Sequence, residues 1–282
     1  MSIEVEGLTY VYMPGSPFEK IALKNINLHI EKGEFVGIIG HTGSGKSTLV
    51  QHFNGLLKAT SGKVLINGND VKGKNLKLLR NQVGMVFQYP EHQLFEETVY
   101  KDIAFGLQKQ GLSSEEADIR VKEAIYSVGL GQEILDKSPF ELSGGQKRRT
   151  AIAGVLAMKP EILVLDEPAA GLDPKGRDEL FTLIRNLHRD AKLTVVLVSH
   201  SMEDTAKLVQ KVIVMNEGKI EMSGNVTEVF RNAEKLEQIG LSAPEITYLF
   251  KKLKKSFSEL SDEIFTVEDA KKEILRFVNK HQ

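Results

Sequence analysis

The run Gly40-His41-Thr42-Gly43-Ser44-Gly45-Lys46-Ser47 places three glycines, a lysine and a hydroxyl at the spacing of a phosphate-binding loop. A triphosphate needs close backbone approach and positive charge without crowding. Glycines at 40, 43 and 45 remove the side chains that would block that approach, so successive N–H groups can turn inward. A helix beginning near Lys46 adds its positive end to the same place. Lys46 can then reach the outer phosphates, and the Ser47 hydroxyl is placed to ligate Mg²⁺. Thr48, next in the chain, is expected with His41, Thr42 and Ser44 among the nucleotide contacts.

Asp166 and Glu167 come directly after the wholly apolar Ile162-Leu163-Val164-Leu165. An ionised pair inside such a strand would carry a large desolvation cost, so both carboxylates are expected just past the strand's end. There Asp166 would hold Mg²⁺ through water, and Glu167 would orient or deprotonate the attacking water. Gln88 and His200 also come after short apolar runs, and ligands of open parallel sheets bind beyond the carboxyl ends of strands. Four strands thus deliver the loop, Gln88, Asp166–Glu167 and His200 to one edge. Gln88 is assigned to the nucleotide and the metal, and His200 to catalysis.

Leu142-Ser143-Gly144-Gly145-Gln146 calls for a different reading. Ser143 and Gln146 form a capping box for the next helix, which is a complete structural explanation by itself. Yet Gly144 and Gly145 open that helix without side chains, leaving N–H groups and a dipole end outward, a surface that binds an anion. It falls in a helical region, too far from Lys46 to share the same nucleotide. The simplest resolution is that Ser143, Gly144, Gly145 and Gln146 cap the γ-phosphate held by a second subunit, with Asp173 at the same interface.

The elements that must position these residues can be read from periodicity. Short apolar runs at 36–39, 83–87, 162–165 and 195–198 read as strands buried on both faces, the look of a parallel sheet between helices. Residues 64–66 before Asn67-Gly68, and a turn around 216–218, read as hairpin elements. From about 90 to 159 the pattern becomes helical and polar, which predicts a subdomain inserted into the sheet domain. From about 225 a small helical tail is expected. There Ser242 and Glu245 predict a capping box ahead of the apolar stripe Ile246, Leu249, Phe250, Leu253 and Phe257, and Thr266 with Asp269 opens a last helix carrying Val267, Ala270, Ile274 and Val278. The lysines at 251, 252, 254 and 255 read as the solvated face opposite that stripe.

With 282 residues the chain is long enough for one large α/β domain and a small appendage. It contains no cysteine, which excludes a disulfide framework, a thiolate zinc site and a thiol nucleophile. A net charge of −1 supplies no basic field to draw nucleic acid. The apolar runs fall short of the ~20 residues a membrane span needs, and no signal peptide is visible. The expected class is a soluble cytoplasmic protein.

Taken together, these motifs resemble the nucleotide-binding subunit of ATP-binding cassette (ABC) transporters over residues 3–225. The resemblance implies a P-loop NTPase fold: a RecA-like, mostly parallel sheet core, an N-terminal antiparallel β part, an inserted α-helical signature subdomain and a helical C-terminal domain at 225–282. It also implies that Tyr12, with neighbouring Tyr10 the alternative, stacks on adenine. Phe87-Gln88-Tyr89-Pro90-Glu91-His92-Gln93-Leu94-Phe95, then Thr98-Val99 and Asp102-Ile103-Ala104-Phe105-Gly106, look like the ATPases of energy-coupling-factor transporters, as do Tyr12-Met13-Pro14-Gly15 and the tail. That likeness implies an ATP- and Mg²⁺-dependent ATPase on the cytoplasmic side of the cell membrane. Its partners would be a second ATPase subunit, a paralogue or an identical copy, a transmembrane coupling protein and a substrate-binding membrane protein for a vitamin or metal ion. The stretch after Gln88 would dock the coupling protein, and the tail would help the ATPases associate. A conventional importer ATPase fed by a soluble binding protein is the nearest competitor. A nucleic-acid ATPase of the same superfamily would carry coiled-coil or zinc insertions that this chain lacks.

Overall fold

A computed structural model describes residues 2–73 and 76–280. In chain order the elements are β1 (Ile3–Tyr12), β2 (Lys20–Ile30), β3 (Phe35–Ile39), α1 (Lys46–Phe53), β4 (Ser61–Ile66), β5 (Asn69–Asp70), α2 (Leu76–Gln82) and β6 (Val83–Val86). The helical insertion comes next, with α3 (Val99–Gln110), α4 (Ser114–Ser127) and α5 (Gly144–Ala157). Then come β7 (Ile162–Asp166), α6 (Pro174–Ala191), β8 (Thr194–Val198), α7 (Met202–Leu208), β9 (Lys211–Asn216) and β10 (Lys219–Asn225). The tail holds α8 (Val226–Phe230), α9 (Ala233–Gln238), α10 (Glu245–Ser256) and α11 (Val267–Lys280).

Two sheets form. One has the antiparallel order β2-β1-β4-β5, and the other runs β10-β9-β3-β8-β7-β6, parallel except for the β9–β10 hairpin. Every residue of β3, β6, β7 and β8 is buried, because helices and the antiparallel sheet cover both faces. Each buried Val, Leu or Ile contributes on the order of 1.5–3 kcal/mol, which fixes the strand positions and therefore the loops at their ends. β3, β8, β7 and β6 are consecutive neighbours, so the loops at their carboxyl ends converge.

Helix starts obey local chemistry. Ser143 caps α5 through a full capping box, its hydroxyl accepting from the Gln146 amide at 3.3 Å and the Gln146 side chain accepting from the Ser143 amide at 3.0 Å. Asp173 caps α6, accepting from the Gly176 amide at 3.1 Å, with Pro174 at the first helical position.

The expected cap for α10 is different in the structure. Pro244 disfavours helix at the residue before it, so α10 begins at Glu245 and Ser242 stays outside. The amide of Glu245 donates instead to Glu203 at 3.3 Å. Thr266 does open α11, its hydroxyl accepting from the Asp269 amide at 3.1 Å.

The change of character near 225 is not a break in the core. Val229, Phe230, Ala233, Leu236 and Ala243 are buried in the same cluster as the sheet residues Val212 and Val214. A separate small cluster of Phe250, Ile264 and Ala270 holds the end of the tail. The expected apolar stripes are only half covered, since Leu249, Phe257, Val267, Ile274 and Val278 remain exposed. In the lysine run, Lys254 pairs with Asp262 at 2.5 Å. Among the described residues no helix is long and apolar enough to cross a membrane.

Candidate functional site

The loop after β3 is built around backbone that only glycine tolerates. Gly45 has φ 103°, and a Cβ there would lie 2.8 Å from the Ala22 carbonyl oxygen. Gly40 is closed in by the Met215 carbonyl oxygen, 2.4 Å from where its Cβ would stand. The loop is tied down on its far side: the Gly218 amide donates to the Ser44 carbonyl at 3.0 Å, and His41 Nε2 lies 3.0 Å from Asn216 Oδ1. The β9–β10 turn thus braces the loop.

Lys46 is buried and folded onto its own loop. Its Nζ donates to the Gly40 carbonyl at 2.7 Å and to the His41 carbonyl at 3.0 Å. Burial pushes its pKa down, partly opposed by Glu167 and Asp166. Phosphate oxygens would replace two neutral carbonyls with charged acceptors, a stronger pairing for the same ammonium.

Asp166 corrects one expectation. It is the last residue of β7, paired with Val198 and 7% exposed, rather than beyond the strand's end. Only Glu167 lies past it, with φ 50° in the left-handed region, a strained turn of the kind found at active sites. Burial raises the Asp166 pKa, the neighbouring Ser47 hydroxyl draws it back, and the Glu167 charge raises it further. Its Oδ1 is buried without a hydrogen-bond partner. An orphaned carboxylate oxygen beside a hydroxyl is what a divalent cation would satisfy. Among the described residues no cluster of three His, Cys, Asp or Glu could hold a metal, so a cation at Asp166 would take its remaining ligands from hydroxyl, phosphate, amide oxygen or water, as Mg²⁺ can.

The raised pKa has a stability consequence. Because the folded value lies above the unfolded one, ionised Asp166 destabilises the fold at neutral pH, and the cost disappears below the unfolded pKa. Asp166→Asn should therefore raise the melting temperature of the nucleotide-free protein by about 2–4 °C per kcal/mol recovered, while abolishing Mg²⁺-dependent hydrolysis. A lowered midpoint in scanning calorimetry would overturn this.

Glu167 is held from both sides. His200 Nε2 lies 2.5 Å from its Oε1, and Gln88 Nε2 donates to its Oε2 at 3.2 Å. Three residues delivered by three strands therefore meet at one carboxylate. They share a cleft of about 780 Å³ with Lys46, Thr48 and Tyr12. Of the two tyrosines, Tyr12 lines this cleft, its hydroxyl 3.1 Å from the Thr48 hydroxyl, whereas Tyr10 packs edge-on against His52. His41, Thr42, Gly43, Gly45 and Ser47 line it too, while Gly40 and Ser44 lie buried behind.

Ser143, Gly144, Gly145, Gln146 and Asp173 lie outside the cleft. Ser143, Gly144 and Gly145 are exposed, and a Cβ on either glycine would meet nothing within 4 Å. The start of α5 is open to an approaching molecule.

The chain that brings this phosphate loop and these carboxylates into one cleft matches the family model described as ABC transporter over residues 23–170. The chain belongs to the ABC transporter ATP-binding family. It is an ATPase of that family. The energy-coupling factor transporter ATP-binding protein EcfA2 of Acetivibrio thermocellus is 66% identical over 280 residues, 99% of this chain and 100% of the relative. The protein of the same name from Listeria monocytogenes is 49% identical over 99% of both chains. Among solved structures, CbiO1 of Clostridium perfringens, described as part of the ABC transporter complex CbiONQ, superposes with TM-score 0.74 at 39% identity, covering 88% of this chain and 98% of that one. The dimeric cassette MJ0796 in a post-hydrolysis state with ADP and phosphate gives TM-score 0.71 at 31% identity, over 79% and 98%.

No motif in the sequence marks a buried ion pair that packs beside the site. Arg148 is 3% exposed on α5 and forms a two-pronged pair with Glu91, at 3.0 and 2.7 Å. A periodic signal was present: Arg148 lies one turn before Ile152, so an arginine occupies the buried face of a helix.

Proposed function

We propose that this chain is the ATP-hydrolysing subunit of an energy-coupling-factor type importer, working on the cytoplasmic side of the cell membrane with a second ATPase subunit. It would drive a membrane coupling protein and a substrate-binding membrane protein that admit a vitamin or metal ion. The observation that carries this reading is the split site. Glu167, Gln88, His200 and Lys46 share one cleft, while the open start of α5 lies outside it and needs a nucleotide held by another subunit. The names of the full-length relatives and the dimeric state of a structural neighbour support it.

In this mechanism each ATP is held by one phosphate loop and by the opposite Ser143 turn. Tyr12 packs on the base, Lys46 leaves its loop carbonyls for the β- and γ-phosphates, and Glu167 takes the proton of the attacking water while His200 fixes its orientation. Ser47, Asp166 and Gln88 would hold Mg²⁺, which neutralises charge on the transferring phosphoryl group. Asp173 faces the partner beside the signature turn. Loss of the γ-phosphate removes the link between subunits, so the ATP and ADP states differ in contacts and the dimer reopens.

Two exposed surfaces suit the remaining partners. Phe95 and Phe105, 61% and 38% exposed and in edge contact at 5.1 Å, come after Gln88 and offer an apolar dock for the coupling protein. The uncovered faces of α10 and α11 suit association of the ATPases.

Affinity purification from detergent-solubilised membranes tests the assignment. A coupling protein and small hydrophobic subunits should come along, and recovery of ribosomes or DNA instead would refute it. Ser143→Ala should impair the site whose phosphate loop belongs to the other subunit. In dimers with one mutant subunit, about half the hydrolysis should survive if the sites act independently, and much less if they are coupled; full activity would exclude the role.

A further inference from the structure

Arg148 joins three segments that the mechanism treats separately. It stands on α5, the helix opened by Ser143. Its Nε and Nη2 donate to Glu91, in the 3₁₀ turn Pro90–Gln93 just after Gln88. Its Nη1 donates to the Pro168 carbonyl at 3.0 Å, and Nη2 also donates to the Ala170 carbonyl at 2.9 Å, directly behind Glu167. Gln88 in turn donates to Glu167, so the contacts close a ring.

The ring is rigid for a physical reason. The Arg148 side chain is 4% exposed and Glu91 17%, so separating them would strand a buried charge. Burial opposes the Glu91 charge, but the guanidinium outweighs it and leaves the carboxyl below its usual range. A planar fork with four hydrogen bonds to three residues cannot move with one segment and release the others. Yet the segments serve different nucleotides: the Ser143 turn reaches toward the one held by the other subunit, and Glu167 acts on the one held by Lys46.

We propose that Arg148 is a positioning residue that makes hydrolysis by Glu167 depend on engagement of this chain's Ser143 helix at the opposite nucleotide. The proposal rests on the two-subunit reading above. Through Glu91, the same displacement reaches the segment just after Gln88.

The test is the ATP dependence of steady-state hydrolysis by the purified transport complex, for the wild type, Arg148→Lys and Glu91→Gln. Lysine keeps the charge but not the fork, and glutamine keeps the shape of Glu91 but not its charge. The wild type should give a sigmoidal curve with a Hill coefficient approaching about 2, the ceiling for two sites. Both variants should fall to about 1, with the saturating rate reduced less than about tenfold. A purely structural role would lower the rate and leave the steepness alone, so unchanged steepness overturns the proposal. If Arg148→Lys does not fold, the Glu91→Gln curve decides by the same criterion. A hyperbolic wild-type curve would also overturn the proposal, whereas the two-subunit reading fails only if mixed dimers carrying Ser143→Ala keep full activity.

Discussion

Glu167→Gln should leave ATP binding intact and slow hydrolysis by about 10²–10⁴-fold, roughly 3–5 kcal/mol of barrier. The expected size reflects the contacts that the substitution spares. Glutamine keeps the length of the side chain and one oxygen, so it can still meet Gln88 or His200, now 3.2 and 2.5 Å from the carboxylate. Lys46 and the loop amides, which are proposed to hold the phosphates, are untouched. The charge able to take a proton disappears, and with it an interaction that strengthens only as water attacks. ATP should therefore accumulate between the closed subunits, detectable as a nucleotide-dependent increase in dimer stability without turnover. Near-normal hydrolysis by the reconstituted variant would remove Glu167 from its role and shift attention to His200.

The convergence of this site was legible because it depends on strands. Runs such as Val195-Val196-Leu197-Val198 have no solvent face, so they read as central parallel strands, and the residues immediately after each run must lie on the carboxyl edge. The place of Asp166 was less legible, since a strand's last residue depends on whether its neighbour is long enough to pair with it, and Val198 is. No pattern in the chain specifies that the Glu167 oxygens divide between Gln88 and His200, because that is set by side-chain directions at two different loops. The tail shows the opposite failure. Its apolar stripes were visible, but periodicity says which residues share a face and not what covers it, and Ile274 and Val278 are left in solvent. Arg148 was hidden by its type, as charged residues are seldom fully buried unless paired, and its partner Glu91 is remote in sequence.

Lys46→Ala should lower nucleotide affinity itself, by about 10- to 100-fold, the scale of one or two hydrogen bonds to a charged group. The nucleotide-free geometry makes this an exchange rather than a simple gain. Before ATP arrives, the ammonium already satisfies the Gly40 and His41 carbonyls, so binding trades those bonds for phosphate oxygens and leaves the carbonyls to find other donors. Alanine forfeits the phosphate contacts. It also frees the loop from an internal brace, so the glycines lose the fixed geometry that aims their amides. Both consequences weaken binding, but only the first depends on ligand charge. Titration with ATP, ADP and AMP should thus show the loss shrinking as the outer phosphates are removed, with AMP keeping only the part that comes from the loosened loop. Equal losses for all three would mean that Lys46 acts by shaping the loop, and undiminished ATP affinity would deny it any part in holding the triphosphate.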